Sequence, residues 1–91
     1  MDSAPHDNPA RSRFELVEEG HLARAEYLVS RDVITFTHTI VPPELGGRGV
    51  ASRLIAFALA DARARGMKVV PQCPFVRAYI EKHPEWADLL A

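Results

Sequence analysis

The chain has 91 residues, of which 47% are apolar, a formal charge of −1 and one cysteine, Cys73. A chain of this length buries only about 60–65% of the surface that its unfolded form exposes, which leaves room for one hydrophobic core. The single cysteine excludes an internal disulfide and favours a reducing, cytoplasmic location, while the scattered Lys and Arg residues argue against a nucleic-acid partner.

The first part of the chain is polar. Residues 1–12, MDSAPHDNPARS, are rich in Pro, Ser, Asp and Asn and hold almost nothing apolar. We expect them to form a disordered tail, and they lack the hydrophobic core of a signal peptide. A single domain is expected over residues 13–91, and its longest apolar stretch is far below the ~20 residues that a membrane span requires. No membrane partner is predicted.

Three strands are predicted next. Residues 14–18 and 21–30 alternate between apolar and polar side chains, with Gly20 at the turn between them. Residues 33–41, VITFTHTIV, form the strongest predicted strand, because β-branched and aromatic residues fill nearly every position. Consecutive strands joined by short turns predict an antiparallel meander, which the two following prolines end.

Beyond the prolines the apolar period changes from 2 to about 3.6. One face of the predicted helix holds Val50, Leu54, Phe57, Ala58 and either Asp61 or Ala62, and Gly66 stands where a helix commonly ends.

A short apolar strand, residues 67–71, follows the helix and is predicted to pair parallel with a neighbour. Pro74 suits the first position of a second helix, which runs to about Lys82. The order β, β, β, α, β, α predicts an α/β fold of the α+β type with a mainly antiparallel sheet.

The segment PPELGGRGVASRL, residues 42–54, places three glycines ahead of the first helix: Gly46, Gly47 and Gly49. Glycine permits a positive φ and close approach to the main chain, and a helix start directs N–H groups and a positive dipole end outward. Together these features fit a diphosphate-binding turn. The alternative is that the glycines form only a loop. No Lys and Ser/Thr pair follows as in a Walker loop, and the prolines disfavour a dinucleotide fingerprint.

Two blocks of the chain resemble the GCN5-related N-acetyltransferases. They are FTHTIVPPELGGRGVASRL (36–54) and RARGMKVVPQCPFVRAYIEKHPEWADL (63–89), and they occur in the family's order. More narrowly, the two blocks resemble the small, minimal group typified by the N-acetyltransferase domain-containing protein 1 family. The resemblance implies a small fold with acetyl-CoA as the acyl donor and an amine as the acceptor.

The family's signature is a Gln or Arg, two free positions, a glycine, one free position, and a glycine or alanine. In this chain these places are Gly46, Gly49 and Ala51, so the first polar residue is missing. The resemblance implies that N–H groups of the loop hold the diphosphate and that an arginine reaches a phosphate. It also implies that the main chain of the strand before the loop pairs with the pantetheine arm and polarises the thioester carbonyl. The implied donor-binding residues are Ile40, Val41, Gly46, Gly47, Arg48, Gly49, Val50, Ala51, Ser52, Arg53, Cys73 and Tyr79.

Cys73 stands immediately before Pro74, at the N-cap of the second helix, where the helix dipole favours a thiolate. It either takes the acetyl group as a covalent carrier or positions the thioester, and the alternative is a buried small hydrophobe.

Tyr79 falls where larger relatives place a tyrosine that protonates the departing CoA thiolate, although it also fits an apolar helix face.

His38 lies on the same strand face as Phe36 and Ile40 by simple alternation. An imidazole can accept a proton near neutral pH, here from the attacking ammonium or from the Cys73 thiol. The alternative is a core histidine. Many relatives carry a glutamate for this role on the equivalent strand, and none stands within residues 33–41.

The chain lacks the helical insertion that walls the acceptor site in larger relatives. The resemblance therefore implies an open groove suited to a protein or peptide amine, or a pocket completed by a second copy, in a monomer or weak homodimer. The alternative function is a non-catalytic CoA-binding or protein-interaction module. No metal is predicted, because no metal-ligand spacing occurs.

Overall fold

The structure is a computed structural model and describes residues 2–91. One five-stranded sheet has its strands in chain order. The strands are β1 (Ser3–Asn8), β2 (Arg13–Glu18), β3 (His21–Ser30), β4 (Val33–Ile40) and β5 (Lys68–Pro71). Helix α1 (Val50–Ala64) connects β4 to β5, and α2 (Pro74–Lys82) follows. Single 3₁₀ segments span Pro9–Arg11, Pro43–Leu45 and Pro84–Leu89.

The first four strands pair antiparallel, and β5 pairs parallel with β4. The parallel pair follows from the helical crossover, since α1 returns the chain to the end of the sheet where β4 begins. The predicted fold, a mainly antiparallel sheet with a central helix, a further strand and a last helix, is confirmed.

The N-terminal segment corrects the prediction of a disordered tail. Ser3–Asn8 forms the edge strand β1, so four strands rather than three precede α1. Polar side chains hold it in place: the Tyr27 hydroxyl donates to Asp7 at 2.6 Å, and Arg65, directly after α1, pairs with the same carboxylate at 3.0 Å. An edge strand can therefore be polar, because its stability comes from pairing rather than from burial. Met1 lies outside the described residues.

Replacing Asp7 with alanine is expected to lower the free energy of unfolding by about 1–3 kcal/mol, because the nearly buried Tyr27 hydroxyl loses its acceptor. Chemical denaturation measures the change. Asp32→Ala is the control, since Asp32 is an exposed aspartate at the β3–β4 turn. Equal unfolding midpoints for the two variants would show that β1 is not fastened through Asp7.

Helix α1 buries a broad stripe against the sheet. Its buried residues are Val50, Leu54, Ile55, Ala58, Leu59 and Ala62. Phe57, predicted on this face, is 37% exposed at its border, where its ring edge contacts Phe14 at a centroid distance of 6.0 Å. The buried stripe also includes Ile55 and Leu59, which the predicted face lacks, because a helix that crosses several strands contacts them over a wide arc. Neither α-helix within residues 2–91 has the length and apolar character to cross a bilayer.

Both α-helices pack on one face of the sheet, where a single core cluster forms. No element within residues 2–91 covers the other face, which we call the open face. Its side chains include Glu26, His38 and Leu28, and the last of these is 65% exposed. The molecule therefore has two layers, a sheet and one layer of helices.

Candidate functional site

Strand β4 contains a bulge at Thr37. Phe36 pairs with Tyr27, but the next residue of β3, Glu26, pairs with His38, so β4 holds one extra residue. An extra residue reverses the faces of all later side chains. His38 therefore lies on the open face, opposite to the buried Phe36, and the predicted shared face of these two residues is wrong.

Cys73 lies where β4 and β5 diverge. The parallel ladder ends at Phe36 and Pro71, and the Cys73 N–H then donates to the Phe36 carbonyl at 2.8 Å. The side chain is 4% exposed, and its Sγ is 3.4 Å from the Thr39 hydroxyl oxygen. The β4 bulge is the reason for this contact, because it turns Thr39 toward the helical layer. Sequence reasoning missed Thr39.

Burial raises the pKa of the Cys73 thiol, but favourable contacts outweigh it and the pKa lies below its ordinary value. These contacts are the Thr39 hydroxyl and the main-chain N–H groups of Val76 and Phe75. Cys73 is the N-cap of α2, as predicted, and its Sγ makes no full capping hydrogen bond. The N–H groups therefore stabilise the thiolate through their dipoles.

Replacing Thr39 with valine is expected to raise the pKa of Cys73, because the variant keeps the shape and loses the hydroxyl that stabilises the thiolate. The ultraviolet absorbance of the thiolate, followed against pH, gives the midpoint. Thr35→Val is the control, since Thr35 lies earlier on β4, before the bulge. A midpoint equal to that of the control would remove Thr39 from the thiol's environment.

The segment between β4 and α1 has the backbone that the glycines suggest. Gly47 and Gly49 have φ values of 76° and 71°, and Gly49 is the N-cap of α1 without any side-chain cap. A Cβ on either glycine would meet no atom within 4 Å, so open space adjoins the main chain. We call the adjoining cleft, of about 270 Å³, the donor cleft. It is lined by Val41, Leu45, Gly46, Gly47, Gly49, Val50, Ala51, Ser52 and Phe75.

A second cleft, of about 210 Å³, meets the donor cleft at Ser52 and Phe75. Tyr79 lines it, half-buried against the core, with its ring centroid 4.3 Å from that of His83. Tyr79 thus makes the packing contact that its helix face predicts and also lines a cleft, and its role as a proton donor stays a prediction.

Arg48 and Arg53 are already paired with carboxylates. An Arg48 Nη is 2.6 Å from Glu19 Oε2, and Arg53 donates to Glu18. Both acidic residues belong to the β2–β3 hairpin, which therefore lies beside the start of α1. Reaching a phosphate would require either arginine to exchange partners.

The His38 imidazole has a carboxylate partner that sequence reasoning missed. His38 Nδ1 is 3.5 Å from Glu26 Oε1, and Glu26 Oε2 accepts a 2.9 Å hydrogen bond from Arg24 Nε. The glutamate stands on β3 rather than on β4, so only cross-strand register reveals it. His38 and Cys73 lie on opposite sides of β4, and the structure does not bring them together. The Ile40 side chain shares the open face with His38, and Val41, not Ile40, lines the donor cleft.

Comparison with known proteins agrees with this architecture. The GCN5-related N-acetyltransferase family model matches residues 13–89. The NMR solution structure of a GCN5-like candidate N-acetyltransferase from Staphylococcus aureus is similar over 96% of this chain and 86% of that chain, with a TM-score of 0.73 and 28% sequence identity. No curated protein sequence matches the chain. The narrower resemblance to the small subgroup stays a prediction. Because the family model spans most of the chain and the fold agrees, the chain belongs to the GCN5-related N-acetyltransferases.

Proposed function

We propose that the protein transfers an acetyl group from acetyl-CoA to an amine. The observation that carries the proposal is that Cys73 and its neighbour Thr39 each lie two residues from a residue that lines the donor cleft. Phe75, which lines the cleft, is two residues beyond Cys73, and Val41, which also lines it, is two residues beyond Thr39. Two features thus flank the point where β4 and β5 diverge. One is a helix start suited to a diphosphate, and the other is a thiol of lowered pKa.

The donor is held by the main chain in this proposal. N–H groups at residues 47–51 bind the diphosphate, assisted by the dipole of α1. The main chain at Ile40 and Val41 pairs with the pantetheine arm where β4 has no β5 partner, and an N–H there stabilises the oxyanion. Tyr79, at the neighbouring cleft, donates a proton to the departing thiolate of CoA.

The transfer forms an N–C bond between the amine and the carbonyl carbon and breaks the C–S bond of the thioester. The amine loses one proton and the CoA thiolate gains one, so the step is balanced. Cys73 enters in one of two ways: its thiolate receives the acetyl group first and passes it to the amine, or it positions the thioester during direct transfer. The single-cysteine composition supports a reducing, cytoplasmic setting for this thiol.

A non-catalytic CoA-binding module is the second candidate. The observation that favours it is the separation of His38 from Cys73 on opposite faces of β4. With this arrangement the imidazole cannot take the proton of the thiol directly.

Calorimetry with acetyl-CoA, followed by an assay of amine-dependent CoA release, tests both candidates. Binding with release that rises with amine concentration supports the transferase. Binding without release across a panel of amines supports the module. An absence of heat and affinity at millimolar acetyl-CoA, on folded protein, would contradict both.

Replacing both Glu18 and Glu19 with glutamine is expected to tighten acetyl-CoA binding several-fold. Each of the two arginines that they now hold would gain a phosphate contact worth roughly one exposed ion pair. Arg48 and Arg53 would lose their present partners and become free to contact phosphate. Calorimetry at two salt concentrations measures the affinity and its salt dependence.

The matched control changes the same charge elsewhere, in the variant Glu81→Gln/Glu85→Gln, at two exposed positions of the C-terminal segment. If both double variants shift the affinity equally, general electrostatics and not the two arginines would account for the change.

A further inference from the structure

We propose that the cleft around Glu26 and His38 on the open face is the acceptor site, and that it takes a small amine carrying an anionic group, with an α-amino acid as the simplest case. This inference rests on the proposed function and names its acceptor. The cleft has a volume of about 350 Å³ and lies between β4 and the segment at Arg11 and Ser12. We call it the acceptor cleft.

The acceptor cleft holds an oriented base. Glu26 is fixed through one oxygen by Arg24 at 2.9 Å, and its other oxygen faces His38 Nδ1 at 3.5 Å. A carboxylate at Nδ1 favours a proton on that nitrogen and leaves Nε2 as the acceptor. The imidazole is 69% exposed on the cleft side, so an amine can approach it. His38 is the catalytic base of the proposal, and Glu26 is a positioning residue.

Residues on either side of the β4 bulge belong to the acceptor cleft and to the surroundings of Cys73. Thr37 lines the cleft, and Thr39, two residues further along β4, contacts Cys73. Beyond Phe36, β4 has no strand pairing with β5, and in this proposal the thioester and the amine meet beside that unpaired part of β4. The amine nitrogen bonds to the acetyl carbonyl carbon, the C–S bond breaks, and the amine's proton passes to His38 Nε2.

Arg11 is the reason that we expect the acceptor to carry an anionic group. Within residues 2–91, Arg11 makes no ion pair, whereas the nearby Arg13 and Arg24 are neutralised by Glu15 and Glu26. A guanidinium at a cleft rim fits a carboxylate with two parallel hydrogen bonds. Leu28, 65% exposed in the same cleft, supplies an apolar wall for a side chain.

The test compares leucine with leucinamide as acceptors for acetyl-CoA, using the wild-type protein, Arg11→Gln and the control Arg31→Gln, which alters an exposed arginine at the β3–β4 turn. We expect the wild-type kcat/KM for leucine to exceed that for leucinamide by about tenfold or more, as for a charge-assisted pair. The ratio falls to about one in Arg11→Gln and is kept in Arg31→Gln. Glu26→Gln lowers kcat and leaves the KM for leucine unchanged.

A binding measurement separates this inference from the proposed function. NMR titration with leucine, without any acyl donor, is expected to shift the His38 ring signals in the wild-type protein and not in Arg11→Gln. Leucine binding without turnover would keep the site and refute the transferase. Equal binding and equal rates for leucine and leucinamide, or equal effects of Arg11→Gln and Arg31→Gln, would overturn the acceptor site as proposed.

Discussion

Replacing Gly49 with alanine is expected to weaken acetyl-CoA binding roughly tenfold, about 1.4 kcal/mol. Gly49 caps α1 at a φ of 71°, and the space where its Cβ would lie is open. In the proposed complex the diphosphate occupies that space, so the methyl group separates it from the first N–H groups of the helix. Calorimetry with acetyl-CoA measures the loss.

The same substitution also strains the backbone, by about 1–2 kcal/mol for a left-handed residue other than glycine. Gly66→Ala controls for this cost, since Gly66 follows α1 at a φ of 69° with equally open surroundings. Both variants should lose similar stability, and only Gly49→Ala should lose affinity. If the two variants bind acetyl-CoA equally well, the diphosphate does not lie at the start of α1.

Replacing Cys73 with serine is expected to lower kcat for acetyl transfer about 100-fold or more if the thiol carries the acetyl group, as for loss of a covalent nucleophile. The lowered pKa raises the thiolate fraction of Cys73 above that of an ordinary thiol, and a serine hydroxyl in the same place stays protonated. Mass spectrometry of the wild-type protein with acetyl-CoA and no amine should show the mass increase of one acetyl group, which added amine removes.

The Cys73→Ser result separates the two roles left open for this thiol. An unchanged affinity for acetyl-CoA, together with a missing adduct and a low kcat, identifies Cys73 as the acetyl carrier. A wild-type protein that transfers acetyl groups with no adduct, and a variant that keeps most of the kcat, would leave Cys73 as a packing residue beside the thioester. Thermal melting of the variant checks that serine is tolerated at this buried position.

Local sequence determined the parts of the molecule whose physics is local. Gly47 and Gly49 predicted a backbone with positive φ, and the change of apolar period after the prolines predicted α1. Pro74 predicted the start of α2 and so the N-cap position of Cys73. Each of these depends on φ, on capping or on a repeat within a few residues, which neighbouring residues set by themselves.

The tertiary structure decided what depends on pairing between strands. Ser3–Asn8 is a strand because β2 supplies its hydrogen-bond partners, which its polar composition could not indicate. The β4 bulge is a mismatch of register with β3, and it places His38 on the open face and Thr39 beside Cys73, 34 residues away. One extra residue in a strand moves every later side chain of that strand to the opposite face of the sheet. The strand's own sequence does not indicate which of its residues the neighbouring strand leaves unpaired.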